Sequence, residues 1–507
     1  MNASGTAAAA GAQLHETHTG LVVLCGDRAN KVKKPISTDF LDFSTPQRRE
    51  EACARELELN RRMAPDVYLG VGHLTDPTGG PAEPVLIMRR MPEKLRLSTL
   101  LAEWGPECID LNSLVDTLVR FHRAARRGPE IDRAGRTESV RERWLAVLDT
   151  LRHQSSDLID PRALAKVEAQ TMRYLAGRTL LFDQRIAAAR IVDGHGDLLA
   201  QDIFALPDGF RILDCLDFDD ALRYLDCVDD IAFLAMDLEF LGHRGLAERL
   251  LTDYLRATAD TAPRSLLDHY IAYRALVRAK VDVIRFAQGE EAARGRARRH
   301  VALAEDHSGR AVIRLVLIGG LPGTGKSTVA QALAEETGAI RLSSDLIRRE
   351  LTDRGALSGS AGTYGHGRYS AAGKAMVYDE MLTKAKRLLE LGESVVLDAS
   401  WIDAEQRDRA RSLAAEVSAE LVQIRCWCPS DLARQRIRHR GGDSASEVTV
   451  DVAMSMAADD VPRPDAHTVS TDQPLANTMA AVREVWHTAA TTSGHDATPT
   501  DVVHPMG

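Results

Sequence analysis

The sequence predicts a chain of two domains, an α+β unit in front and an α/β unit behind, and three observations support this. At 507 residues the chain is too long for a single hydrophobic core. Up to about residue 90, short apolar runs alternate with turn residues, and longer stretches at helical spacing follow, as in a sheet-bearing lobe joined to a helical one. From about residue 311 strands and helices alternate, which implies a parallel sheet with helices on both faces. The expected domains are 15–300 and 311–487, with a linker at 301–310.

Composition narrows the function classes. A net charge of −9 with 27% charged and 44% hydrophobic residues is ordinary for a soluble globular protein and argues against duplex nucleic acid as a partner. Seven cysteines without C-x-x-C spacing suggest neither a disulfide framework nor a zinc knuckle, and reduced thiols fit best. No run approaches the apolar length of a membrane span, and the alanine-rich start lacks a basic leader, so no membrane partner and a cytoplasmic location are expected.

Residues 1–14 are small and polar without periodicity and are expected to be disordered. Leu21–Cys25, a turn at Gly26-Asp27 and Asn30–Pro35 read as two antiparallel strands, with Lys31 and Lys33 alternating on the second. A helix follows over about 45–63, capped by Thr45, opened by Pro46 and carrying Glu56. Residues 85–89 form another strand, and Met91-Pro92 marks a hinge into a helical region that begins near Leu111 and includes a long helical stretch at 141–188.

His195-Gly196-Asp197, Asp202, a strand at Phe210–Leu213, and then Asp214, Asp217, Asp219, Asp220, Asp226, Asp229 and Asp230 crowd acidic residues onto loops around a hairpin. Carboxylates so close repel unless a cation sits between them, and a hard divalent ion such as Mg²⁺ takes oxygen ligands. Asp197 is then a candidate proton acceptor, which phosphoryl transfer to a hydroxyl needs near the attacking oxygen. His195 is expected to hold the loop by hydrogen bonding.

His195-Gly196-Asp197 with Asp202 five residues on, Leu216-Asp217-Phe218, Asp226 and Asp230-Ile231-Ala232 resemble the aminoglycoside phosphotransferases and their two-lobed protein-kinase-like fold. The resemblance spans about 19–290. It implies Asp197 as catalytic base, Asp202 and Asp217 as Mg²⁺ ligands, and a strand lysine paired with Glu56, Lys33 in preference to Lys31. One departure is Asp202, which stands where that family has asparagine. No glycine-rich loop of the protein-kinase type precedes the lysine strand.

Behind the linker, an apolar strand at Arg314–Ile318 runs into G-x-x-x-x-G-K-[ST] from Gly320 to Ser327, and a helix follows. Gly320, Gly323 and Gly325 let backbone N–H groups point inward at phosphate oxygens, at the positive end of that helix. Within the same stretch, Gly320 to Thr328 with Thr324, Lys326 would reach the β- and γ-phosphates and Ser327 would hold Mg²⁺. Asp345 and Asp398 follow predicted strands at their carboxyl ends, where ligands of parallel sheets bind. Asp398 is placed to support Mg²⁺, and Asp345 to accept a hydroxyl proton. Arg434 and Arg438 share a helix face, within a basic run that includes Arg436 and Arg440 and ends at Gly441-Gly442, and are candidates to close over the transferring phosphoryl group.

Residues 310–475 resemble the small P-loop kinases of the gluconate kinase and polynucleotide kinase type. Together the halves resemble two-domain proteins described as aminoglycoside phosphotransferase-like plus predicted ATP-binding kinase. A polar tail at 488–507 is expected to be disordered. The function this implies is a bifunctional phosphotransferase with two ATP and Mg²⁺ sites and small hydroxylated, sugar-like acceptors, a nucleic-acid end being left open among them. The rivals are a front domain that senses nucleotide and controls the rear kinase, and an ATPase switch without acceptor.

Overall fold

A computed structural model of the chain describes residues 12–16, 20–36, 42–154, 158–358, 368, 370–439, 450–458 and 464–492. They fall into two compact units, one from 1–151, 183–262 and 270–304, the other from 152–182, 263–269 and 305–507.

In the front unit, strands β1 (Gln13–Glu16), β2 (Gly20–Cys25), β3 (Arg28–Lys33), β4 (Tyr68–Leu74) and β5 (Glu83–Arg89) form an antiparallel sheet in the order β1-β2-β3-β5-β4. The disorder expected through residue 14 is corrected, because Gln13 and Leu14 pair with Leu24 and Val23 of β2. Residues 1–11 lie outside the described residues. The Pro46–Asn60 helix starts where its cap predicts: Thr45 Oγ1 accepts the Arg48 N–H at 3.3 Å, and Pro46 fills the first position, where a missing N–H costs nothing. Its Cys53 packs with Val67, Tyr68 and Leu86 of the sheet lobe, and with Phe204 and Leu213 beyond it.

The helical lobe carries two small antiparallel ladders. Strand β6 (Ile191–Asp193) pairs with β9 (Tyr224–Asp226), and β7 (Ile203–Leu206) pairs with β8 (Gly209–Ile212). The single helical stretch expected over 141–188 is three helices, Thr137–Gln154, Pro161–Ala176 and Thr179–Ala187. Pro161 has no N–H to continue a helix through it, and Asp160 instead caps the new one by accepting the Arg162 N–H. The stretch 301–310, expected as a linker, is the end of the Ala292–Arg310 helix. Its polar residues are bonded partners: His307 Nδ1 meets Asp268 at 2.7 Å, and Ser308 Oγ donates to Gln170 at 2.8 Å.

In the rear unit, β10 (Arg314–Gly319), β11 (Ile340–Ser343), β12 (Val395–Asp398), β13 (Glu420–Trp427) and β14 (His467–Ser470) form a parallel sheet in the order β11-β12-β10-β13-β14. Val316, Ile318, Val396 and Ile424 of the sheet bury against Val329 and Leu333 of the following helix. Two segments expected in the front domain belong here. Arg178 Nη1 donates to Val417 O at 2.9 Å, and Ser265 Oγ donates to Gly392 O at 2.6 Å. The expected disordered tail is corrected at its start, since the last helix runs from Leu475 to Thr492. All seven cysteines are free. Among the described residues no helix is long and apolar enough to cross a membrane.

Arg185 bridges two buried carboxylates of the front unit: its Nε and Nη2 donate to Asp226 at 2.7 and 2.6 Å, and Nη2 also reaches Asp260 at 3.0 Å. Losing one partner of such a cluster leaves buried charge unpaired and costs about 3–5 kcal/mol. Arg185→Met is therefore expected to lower the urea midpoint of the front unit by that equivalent, with Arg249→Met, an exposed residue of the same unit, as the control. Equal midpoints in the two variants would show that the cluster contributes nothing.

Candidate functional site

A cleft of about 1200 Å³ opens in the front unit, lined by β3, Glu56 of the Pro46–Asn60 helix, the Gly196-Asp197 turn, residues 213–219 and the Arg264–Ala287 helix. Residues two apart on a strand share a face, so Lys31 and Lys33 both point at Glu56. Glu56 takes both, Lys31 Nζ at 2.8 Å and Lys33 Nζ at 2.9 Å. The expected preference for Lys33 is corrected accordingly: the carboxylate has two oxygens and each holds one ammonium. Burial works against the charge on Glu56, but the two lysines outweigh it and lower its pKa. Lys31 also reaches Asp214 at 3.5 Å, and Lys33 reaches Asp217 at 3.0 Å.

Asp197 and Asp202 both lie in the field of Asp214, and Asp202 also feels Asp197. Burial raises the Asp197 pKa to about 6, with Arg278 and Arg274 opposing and Asp214 adding to the rise. Burial, then the charges of Asp214 and Asp197, push Asp202 well above the usual carboxylate range. Asp217 lines the same cleft; burial raises its pKa too, and the charge it meets first is Lys33. Asp214, directly after the Phe210–Leu213 run, was given no role of its own among the acidic residues. Asp214 adopts φ +62°, a left-handed conformation that aspartate tolerates better than most residues. Asp197, Asp202 and Asp214 line the same cleft and offer carboxylate oxygens of the kind a hard divalent cation such as Mg²⁺ takes.

The remaining acidic residues of the hairpin have protein partners. Asp226 takes Arg185, and Asp229 takes Arg274 through two bonds of 2.7 and 3.0 Å. Asp220 takes Arg55 and Arg223. Asp230 accepts the backbone N–H groups of His195 and Gly196 at 2.7 and 3.0 Å. His195 does hold the loop: its Nδ1 accepts the Asp197 N–H at 3.3 Å, so its Nε2–H donates to Leu213 O at 3.2 Å. Burial lowers its pKa to about 4, against the pull of Asp230, and the ring is neutral at physiological pH.

In the rear unit the phosphate-loop glycines take positive φ, +143° at Gly320, +82° at Gly323 and +80° at Gly325. A side chain at Gly323 would place its Cβ 2.5 Å from Ala433 O, so the loop packs against the Ser430–Arg438 helix only as glycine. Thr324 Oγ1 donates to Leu321 O at 2.7 Å, Lys326 begins the helix, and Thr328 is exposed. Ser327 Oγ donates to Asp398 Oδ1 at 3.3 Å, a hydroxyl and carboxylate placed together as Mg²⁺ ligands of this kind would be. Arg341 of β11, unassigned from sequence, donates to the other Asp398 oxygen at 2.5 Å. Asp345 pairs with Arg348 at 2.7 Å.

Of the basic run, Arg434 pairs with Asp431 at 2.6 Å and Arg438 is exposed. Arg436 is the one at the phosphate loop: it donates to Thr471 O at 2.7 Å, and its Nη1 would lie 3.5 Å from a Cβ at Gly325. Arg440 and Gly441-Gly442 lie outside the described residues.

The raised pKa values of Asp197 and Asp202 set a sign. A carboxyl whose folded pKa is raised contributes stability below its ordinary pKa and loses it as pH rises through the folded value. In EDTA Asp197 therefore destabilises the fold as pH rises through about 6, and Asp202, raised by burial and by the charges of Asp214 and Asp197, does so at pH values above the usual carboxylate range. His195, with its lowered pKa, acts in the opposite direction, so the informative quantity is a difference between variants. Asp202→Asn is expected to raise the melting temperature of the metal-free protein more at about pH 8 than at about pH 5. Equal gains at both pH values would show that Asp202 does not titrate in this window.

A family model described as an AAA domain matches residues 315–460. A gluconokinase from Sinorhizobium meliloti 1021 is similar with a TM-score of 0.26 at 18% identity, over 35% of this chain and 94% of that one. A choline/ethanolamine kinase family protein from Mesorhizobium loti is similar with a TM-score of 0.37 at 16% identity, over 59% of this chain and 89% of that one. Of its sequence relatives, "Uncharacterized protein Rv2004c" of Mycobacterium tuberculosis is 45% identical over 476 residues, 94% of this chain and 95% of the relative. At that identity over nearly its whole length the chain belongs to the same family as this relative, and its rear unit carries the AAA domain match.

Proposed function

We propose that the chain is a bifunctional ATP-dependent phosphotransferase with two separate ATP and Mg²⁺ sites, each passing a γ-phosphoryl group to the hydroxyl of a small, sugar-like acceptor. The observation that carries this reading is the front cleft, where Asp197, with a pKa near 6, stands beside Asp202 and Asp214 and across from the Lys31–Glu56–Lys33 cluster. In the front site Asp197 takes the proton of the acceptor hydroxyl, since a base works best with its pKa near the operating pH. Lys31 and Lys33, kept charged by Glu56, meet the phosphate oxygens. Asp202 and Asp214 would hold Mg²⁺, which supplies positive charge to offset that of the phosphates when bound.

In the rear site the inward N–H groups of residues 320–328 and the Lys326 ammonium receive the β- and γ-phosphates. Ser327 and Asp398 would hold the second Mg²⁺. Asp345 takes the acceptor proton, and Arg436, in place of Arg434 and Arg438, supports the loop through Thr471. A second reading rests on one residue: Asp202, in place of asparagine, adds charge to the front metal site and favours a front unit that binds nucleotide but turns over slowly, controlling the rear kinase.

With labelled ATP and a panel of hydroxylated metabolites, Lys326→Ala is expected to abolish the rear transfer. Asp197→Asn is expected to lower front kcat by about 10²–10⁴-fold, the usual worth of a positioned base. Free phosphate as the sole product from both sites would instead support an ATPase switch. The two candidate metal carboxylates separate in the same assay: Asp214→Asn should raise the Mg²⁺ requirement of front transfer at least tenfold, and Asp217→Asn should change it less. The reverse order would return the ligand role to Asp217.

A further inference from the structure

We infer that the ligand accepted beside Asp197 in the front cleft is an anion, a small hydroxylated molecule bearing a phosphate or carboxylate group. The inference rests on the front site being a phosphotransferase site, and it names the class of acceptor. One wall of the cleft carries Arg143, Arg274, Arg278 and Lys280. Arg274 joins this wall to the base, because its Nη1 donates to Gly196 O, next to Asp197, at 3.3 Å. Its charge is balanced by Asp229, which is 1% exposed and enclosed behind it.

The other cations of the wall are not balanced in this way. Arg143 donates to a carbonyl, Ala134 O, at 2.9 Å. Arg278 and Lys280 are half-buried, and among the described residues neither has a hydrogen bond or an ion pair. Arg278 feels Asp197 and Asp237, but neither carboxylate is within ion-pairing distance. The lysines across the cleft differ, since Glu56, Asp214 and Asp217 already engage them.

A partly desolvated guanidinium without a partner is costly, and the cost is recovered when an anion binds it. Val277, Val281 and Ile284 line the same helix face and lower the local dielectric, which strengthens such a contact. A cationic acceptor would meet like charge at this wall, whereas a phosphate or carboxylate would receive a planar pair of N–H donors from Arg278.

The test uses the full chain with Lys326→Ala, which silences the rear phosphate loop, and measures binding by titration calorimetry in the presence of Mg²⁺ and ADP. The probes are glucose 6-phosphate and gluconate, their neutral counterpart glucose, and the cations choline and kanamycin. At least one anion is expected to bind ten times or more tightly than glucose, with the cations weaker than glucose. Arg278→Gln should weaken that anion by about tenfold to a hundredfold, the range of a charge-assisted hydrogen bond, with ADP affinity unchanged, and Arg278→Lys should recover part of the loss. Tighter binding of choline or kanamycin, no anion stronger than glucose, or an unchanged affinity in Arg278→Gln would each overturn the inference. Adding ATP to the complex separates this from the proposed activity: binding without transfer counts against the phosphotransferase reading alone, and transfer to glucose in preference to the anions counts against the inference alone.

Discussion

The front site depends on one buried carboxylate. Asp230 is fully enclosed and accepts the N–H groups of His195 and Gly196, and His122 Nε2 reaches it at 3.1 Å. Burial by itself would raise its pKa, yet His122 and the His195 N–H outweigh that and hold it well below the usual carboxylate range. Fixing two consecutive N–H groups fixes the chain direction at Gly196, whose φ of +82° turns the next residue into the cleft. Gly194 has to be glycine for the same arrangement, because a Cβ there would stand 2.7 Å from Asp230 Oδ2. The constraint then passes outward through the neutral His195 ring, which ties the Asp197 N–H to Leu213 O at the end of the β8 strand. Asp214 follows directly, so the candidate base and the candidate metal ligand share one anchor.

The rear site is held by a different kind of interaction. Its phosphate loop is shaped by backbone packing: Gly323 against Ala433 O, and the Thr324 carbonyl receiving Thr471 Oγ1 at 2.7 Å. No buried charge is needed, because a nest of N–H groups already favours an anion and a glycine-rich turn costs only conformational entropy. This contrast explains why Thr471, remote in sequence, positions Arg436: the residue that braces the loop also accepts from the guanidinium.

Features governed by neighbouring residues were legible in the sequence. The Thr45 cap, the phosphate loop and its strand, and the role of His195 all follow from short-range chemistry. What was not legible depends on how one element meets another. The left-handed backbone at Asp214 is one such feature, since no spacing rule foretells it. Which arginine of the basic helix reaches the phosphate loop is set by the rotation of that helix about its own axis, fixed by Ala433 against Gly323. The pairing of Glu56 with both lysines needs the helix to stand centrally over β3, which no spacing rule supplies. The polar 301–310 stretch read as linker because its partners, Asp268 and Gln170, lie far away in the chain.

Asp202 remains the residue where chemistry and family pattern diverge, and its environment explains how the fold tolerates it. Burial with Asp214 and Asp197 as neighbours raises its pKa well above the usual range, so in the metal-free site the proton is held far more readily than by a carboxylate in water. A protonated carboxyl has nearly the size and shape of the asparagine amide and presents a neutral carbonyl oxygen on the same side. Below that raised pKa the metal-free site resembles the asparagine version, and a bound cation would favour release of the proton. Substituting aspartate for asparagine changes when the charge is present, and through it how steeply metal affinity depends on pH, while leaving the geometry set by Asp230 in place.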